Sequence, residues 1–283
     1  MQKYKDTTNM QNLPRILFTT RFSFFGNSGW KSEFSADPAQ LFEESRLKKR
    51  LWLFEHVTLP CLTQQTDQEF HHFILSSAKM PQWAKEALND LCAKNLKEGQ
   101  YTIRYARPAR ARKFQRFMIG NLTQDETTPV AQVVLDDDDA LPIDFVEILK
   151  SQMAIIKEDR GLEMDKVPYF ITFPRGYALG LRDDRKVVWH QRYPFINLGL
   201  TMIGTSQQQN ILGIAHKAAP KRFGYMRYDD QKMYVRSIND VNDSRVIVKD
   251  KWTEVSDAPS LMDIELRFPY MKDIDHKAYK ACS

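Results

Sequence analysis

The sequence predicts an α/β fold: a parallel, doubly wound sheet flanked by helices, with a smaller mixed or antiparallel extension behind it. Three observations predict it. Short β-rich apolar runs alternate with segments of helical period through the first 160 or so residues. One of those runs, Val133-Val134-Leu135, ends in four consecutive aspartates, Asp136 to Asp139, before Ala140 and Leu141. After residue 165 the pattern changes to short strands set among Gly and Pro turns.

The elements follow in order. Residues 1–13 read as a polar, frayed start. Arg15 to Thr20 reads as a first strand ending at Arg21-Phe22-Ser23, and a loop with Gly26, Asn27, Ser28 and Gly29 follows. Leu47, Leu51, Phe54 and Val57 recur at helical spacing and predict a helix over 39–59, broken or kinked at Pro60. Phe70, Phe73, Ile74 and Leu75 predict a second strand, 81–96 a helix, and Tyr101 to Tyr105 a third strand. Residues 110–122 predict a helix with Arg112 and Arg116, four apart, on one face. The aspartate-tipped strand comes next. A helix from Ile143 to about Lys157 has Pro142 well placed near its start. Tyr169 to Phe173 and Lys186 to His190 read as strands, and a closing helix is expected within 254–270. No internal repeat and no linker divides the chain.

The composition limits the possible functions. The chain has 283 residues, 42% of them hydrophobic, which is enough for a substantial core. The net charge of +5 is modest, and the one dense basic stretch is Arg107, Arg110, Arg112, Lys113 and Arg116. No RNA-binding aromatic signature or zinc-finger spacing is present, so no nucleic-acid partner is expected. Three scattered cysteines, Cys61, Cys92 and Cys282, point to reduced thiols and a cytoplasmic setting. The N-terminal residues are polar and no apolar run approaches the roughly 20 residues of a membrane span, so no secretory leader or transmembrane segment is expected. Peripheral contact with the inner face of a membrane is compatible with this reading.

The aspartate run is the chemical signal. Four carboxylates at the end of a buried strand need cations or hydrogen-bond donors. In open α/β sheets the carboxyl ends of the strands are also where ligands bind. In an extended stretch, Asp136 and Asp138 would face one way and Asp137 and Asp139 the other. One pair could then share magnesium or manganese while the other meets ribose hydroxyls or supporting donors. An ion held by only one or two carboxylates keeps positions open for phosphate oxygens. The plainer alternative is a solvated acidic turn favouring the next helix N-terminus. An EF-hand is not expected, because the ligand alternation and central glycine are missing.

Four segments carry a family resemblance. They are Thr20-Arg21-Phe22-Ser23; Phe54-Glu55 through Thr58-Leu59-Pro60-Cys61-Leu62 with Gln65-Thr66-Asp67 and Phe70; Leu135 to Leu141 followed by Asp144-Phe145-Val146; and Asn197-Leu198-Gly199 with Asn239-Asp240-Val241-Asn242. On these the chain resembles GT-A fold glycosyltransferases, closest to a bacterial rhamnosyltransferase family. The resemblance implies a GT-A-like, Rossmann-type sheet. Residues 1–165 would be the nucleotide-sugar-binding half and 166–283 the acceptor-side half of one continuous domain. The implied reaction is metal-dependent transfer of a sugar, rhamnose being one candidate, from a nucleotide-diphosphate sugar to a hydroxyl of a glycan or glycolipid acceptor, with inversion.

By the same resemblance Asp136 and Asp138 take the DxD role, with Asp136 also near ribose or sugar. Thr20, Arg21 and Asp137 lie by the nucleotide, and Arg112 or Arg116 meets the diphosphate. The metal, Mn2+ or Mg2+, is expected on Asp136 and Asp138. Related enzymes often add a histidine at the C-terminal motif; Asn239 stands there instead, with His216 nearby, and either could complete the site. Asp184 is the expected base and Asp139 a second catalytic candidate, with Asp183, His190, Glu254 and Asp257 weighed beside them. Trp189, Tyr193, Phe195 and Tyr225 could stack on sugar faces, although core packing is the commoner role of such rings. Two other readings fit the same carboxylates: a nucleotidyl- or phosphotransferase, and a catalytically silent nucleotide-sugar-binding protein.

Overall fold

The computed structural model describes residues 12–26, 37–160, 167–181, 185–242, 248 and 252–282. Its centre is a seven-stranded sheet in the order β3-β2-β1-β4-β8-β5-β9. The strands are β1 (Arg15–Phe22), β2 (Phe70–Ser77), β3 (Tyr101–Ala106), β4 (Val130–Val134), β5 (Tyr169–Thr172), β8 (Thr201–Gly204) and β9 (Gly224–Arg227). β1, β2, β3 and β4 are mutually parallel, whereas β8 runs antiparallel between β4 and β5. A second sheet of three strands, β10-β6-β7, comprises β10 (Val235–Ile238), β6 (Arg175–Gly180) and β7 (Val187–Arg192).

The α/β class expected from the sequence is therefore present. The parallel strands carry the near-continuous apolar pattern of a sheet covered on both faces: every residue of β4 is buried, as is every residue of β1 after Arg15. Helices α4 (Gln82–Asn95), α5 (Ala111–Thr123) and α6 (Phe145–Arg160) follow β2, β3 and β4 in turn. Helix α4 buries Ala84, Leu88 and Cys92, a one-turn stripe that faces the core. Phe145 at the start of α6 ties the layers together, its ring centroid 6.0 Å from Phe18 and 5.2 Å from Phe173. Strands from both sides of residue 165 share the central sheet.

Three expectations need correction. The helix foreseen over 39–59 is a series: α1 (Pro38–Leu41), α2 (Glu44–Leu53), a π-helical turn at Phe54–Thr58, and α3 (Leu59–Thr63). Pro60 does not end the helix: the backbone stays helical from Glu44 to Thr63, and the π-helical turn at Phe54–Thr58 lies directly before the position where proline removes a backbone donor. Strands β6, β8, β9 and β10 went unforeseen because they are short or glycine-bearing. Gly176 in β6 is required by packing: a Cβ there would run into the ring of Tyr234. The closing helix is α8 (Ala258–Arg267), preceded by α7 (Ala219–Arg222) and followed by α9 (His276–Ala281).

The third correction concerns the aspartate run, which is a turn rather than an extended stretch. The Asp139 N–H donates to the Asp136 carbonyl at 3.2 Å. The turn is pinned on both sides. Thr58 Oγ1 donates to the Asp139 carbonyl at 2.9 Å, and Ala140 exchanges two backbone hydrogen bonds with Val235 of β10. The predicted alternation of the four side chains does not hold, and each carboxylate has its own surroundings.

Candidate active site

The strand order places this turn at a topological switch point. From β1 the chain goes outward to β2 and β3, then returns to β4 on the other side of β1. The crevice at the carboxyl ends of β1 and β4 is the expected ligand position in such a sheet. Arg21 lies near the end of β1 and Asp136 just after β4, and Arg21 Nη2 donates to Asp136 Oδ1 at 3.0 Å. Thr20, one residue earlier, turns inward. Its hydroxyl donates to the Leu135 carbonyl at 2.7 Å and accepts from His72 Nε2–H at 2.8 Å. The expected contact between Thr20 and a nucleotide is therefore not made by this side chain, which is fully buried as a staple behind the turn. Burial, with a smaller push from His71, lowers the His72 pKa to about 3, so its imidazole is neutral.

The cation that supports the turn was missed in the sequence. Arg50, in α2, is 2% exposed. Its Nε donates to Asp137 Oδ2 at 3.1 Å, its Nη2 to Asp137 Oδ1, and its Nη1 to Asp138 Oδ2 at 2.9 Å. Asp137 is completely buried by this fork and does not face the cavity as a nucleotide contact. The signal existed in the sequence: Arg50 falls on the apolar stripe of Leu47, Leu51 and Phe54. A buried guanidinium needs carboxylate partners, and the aspartate run is where they were.

Asp138 collects more donors. Asn239 Nδ2 and Asn242 Nδ2 reach its Oδ2 at 2.9 and 2.7 Å. Burial opposes its charge, but Arg50, then the side chains of Asn239 and Ser237, outweigh that and hold its carboxyl below the usual pKa. Asp139 goes the other way. Burial, then the charges of Asp138 and Asp136, push it well above the ordinary carboxylate range, and its Oδ1 accepts the Ser237 N–H at 2.9 Å.

Asn239 does not offer oxygen to this site. Its Oδ1 accepts from the Val241 N–H at 3.0 Å, which fixes the amide with nitrogen toward Asp138. The ligand role expected of it is at odds with that geometry. His216 lies in a short 3-10 turn, His216–Ala218, and its Nδ1–H donates to the Phe195 carbonyl at 2.7 Å. This leaves Nε2 as the acceptor nitrogen. Phe195 holds φ = +53°, the left-handed region that a non-glycine residue rarely occupies.

These groups border a cavity of about 670 Å³. One wall carries Arg21, Arg50, Asp136, Asp138 and Asp139. β10 adds Arg236 and Ser237, and residues 196–198 and 211–217, including His216 and Lys217, also line it. Tyr193 lines it as well, while Trp189 packs on Trp252 and Tyr225 sits edge-on to Phe195. Arg112 and Arg116 do not line it. Both lie on the exposed face of α5, and Arg116 donates to the Gln208 carbonyl at 3.3 Å. Glu254 pairs with Arg185, and Asp257 caps α8 while bonding His190 at 3.1 Å. Asp183 and Asp184 lie outside the described residues. A larger cavity, about 1040 Å³, opens at the opposite, amino-terminal ends of β1 and β2. It is remote from the aspartate turn, so the smaller cavity is the better candidate.

Among the described residues no group of three or more His, Cys, Asp and Glu side chains is arranged to hold a metal ion. The donor set still fits a hard divalent cation in one form. Asp136 and Asp138 both reach the cavity, and two carboxylates suffice for magnesium when substrate phosphates complete the coordination.

A doubly wound sheet with paired carboxylates and arginines in a cavity at its switch point defines the class: an α/β protein whose candidate ligand site lies at the carboxyl ends of β1 and β4. The family follows from the sequence, since the model described as "Putative rhamnosyl transferase" matches residues 15–251 and the chain belongs to that family. Among proteins of curated function none matches in sequence. Among solved structures, S. aureus TarS 1–349 aligns with a TM-score of 0.39 and 12% identity, over 79% of this chain and 60% of that one. TarS 1–349 in complex with UDP-GlcNAc aligns with a TM-score of 0.42 and 10% identity, over 83% and 62%. The chain thus spans about six-tenths of these TarS structures.

Proposed function

We propose that the chain is a glycosyltransferase that moves a sugar, with a deoxyhexose such as rhamnose as first candidate, from a nucleotide-diphosphate donor to a hydroxyl of a glycan or glycolipid. The observation that carries this reading is the aspartate turn opening into a cation-rimmed cavity at the sheet's switch point, in a chain of this family. In this reading Asp136 and Asp138 would hold a magnesium or manganese ion, which would supply positive charge to neutralise a leaving diphosphate.

The protein's own residues supply the rest. Arg21, Arg236 and Lys217 line the same cavity as the carboxylates, and all three suit the diphosphate. Arg50 keeps Asp137 and Asp138 in place from the cavity wall. The acceptor oxygen attacks the anomeric carbon as the carbon–oxygen bond to the diphosphate breaks, with the electron pair going to the leaving group and inversion as the outcome. The acceptor proton goes to His216 Nε2. The Phe195 carbonyl selects the required tautomer, and the unusual backbone at Phe195 aims that carbonyl. Asp184 is the alternative base. Asparagine substitutions separate them: His216→Asn keeps an amide donor toward Phe195 but removes the acceptor nitrogen. The expected loss is about 10²–10⁴-fold in turnover. Unchanged turnover in His216→Asn, with loss in Asp184→Asn, would assign the base to Asp184.

The function itself is tested by incubating the protein with a panel of nucleotide sugars, with and without Mg2+ or Mn2+, and measuring nucleoside-diphosphate release. Release from one donor, dependent on the ion, is expected. Release of pyrophosphate would instead indicate nucleotidyl transfer.

A further inference from the structure

The basic stretch that the cavity does not use forms a surface of its own. Between Arg104 and Gln124 the chain has six cations (Arg104, Arg107, Arg110, Arg112, Lys113 and Arg116) and no acidic residue. All six are exposed, and among the described residues none of them forms an ion pair. Together they exceed the net charge of the whole chain, +5, so the remainder is close to neutral. The field is therefore concentrated on one face.

The arrangement runs against what would stabilise the helix. The first turn of α5 has no acidic residue and carries Arg112 and Lys113, cations at the positive end of the helix dipole. Arg112 and Arg116 also repel each other one turn apart. Phe117, one turn after Lys113, is 63% exposed on that same face. The patch adjoins the cavity wall: Asn210 Nδ2 donates to the Arg112 carbonyl at 2.7 Å, and Ile211 to Gly213 follow directly.

We propose that this face docks on an anionic lipid surface, with the guanidinium and ammonium groups on the headgroup phosphates and Phe117 at the headgroup–acyl boundary. Cations around an outward aromatic ring suit that interface. No helix among the described residues is long and apolar enough to cross a membrane, so contact of this kind would be peripheral. A nucleic acid would meet the same charges, but only one ring instead of a row of stacking platforms. Docked this way, the cavity opens beside the membrane, where a lipid-linked acceptor would be presented. The docking itself needs no substrate and stands apart from the transfer reaction.

The test is co-sedimentation with vesicles of phosphatidylcholine alone and of phosphatidylcholine with a third phosphatidylglycerol, at roughly 0.1 M salt. The full chain should bind the anionic vesicles and not the neutral ones, and salt should weaken the binding. The variant Arg107→Glu/Arg110→Glu/Lys113→Glu should lose about a hundredfold or more in partitioning. Phe117→Ser should weaken the binding that persists at higher salt. These residues are exposed, so circular dichroism and the thermal melt should match the wild type. Equal binding to both vesicle types, no binding to either, wild-type partitioning by the triple variant, or displacement of the vesicles by a single-stranded 30-mer would each overturn the proposal.

Discussion

Arg50 donates from three nitrogens to two adjacent carboxylates, and nearly all of that cluster is out of water. Breaking such a pair leaves Asp137 buried without its cation. Arg50→Met is therefore expected to destabilise the fold by about 3–5 kcal/mol, read as a lower urea midpoint, even though Met nearly fills the space. Asp136 lies at the other extreme: its side chain is 27% exposed and has one ion-pair partner, Arg21. Asp136→Asn should leave the melt nearly unchanged and reduce donor turnover by at least about a hundredfold. The contrast separates support from chemistry within a run of identical residues. The sequence showed that the run needed cations. It did not show which carboxylate gets which, because that depends on the turn and on residues about ninety positions away in α2 and a hundred positions away in β10 and the segment after it.

The elements that periodicity predicts well are those with one long apolar stripe or one fully buried run: β1 to β4, α4, α5 and α6. The short strands of the second half escaped because four residues contain too little pattern, and because β6 carries glycines at both Gly176 and Gly180. Packing explains the first of these glycines. Gly176→Ala would push a methyl group into Tyr234, and a loss of about 1–3 kcal/mol is expected, measurable by thermal unfolding. Because β6 pairs with β10, and β10 holds the aspartate turn through Val235, the same variant should also lower donor affinity. A variant that loses stability but keeps full donor affinity would show that the small sheet does not position the turn.

On the scale of the whole molecule, the candidate site joins two sheets: β1 and β4 bring Arg21 and the aspartates, β10 brings Arg236 and Ser237, and the His216 turn adds to the lining. Stability should follow pH through a group behind that junction. His72 has a folded pKa of about 3 against an ordinary value near 6.5, so between those values the unfolded chain holds the extra proton. Its contribution is fully present above about pH 6.5 and falls as the pH drops toward 3. His72→Gln should flatten the urea midpoint between pH 4 and 7 relative to the wild type. The α/β class and the place of the aspartate run at a strand end were legible because apolar periodicity and an acidic strand end are local features; the partners of the carboxylates are long-range and were not. The most direct measurement of the central claim is nucleoside-diphosphate release across a nucleotide-sugar panel, for the wild type and Asp136→Asn, with and without Mn2+. The account predicts ion-dependent release from one donor by the wild type and its loss in the folded variant. Equal release by both proteins, or no release from any donor, would contradict it.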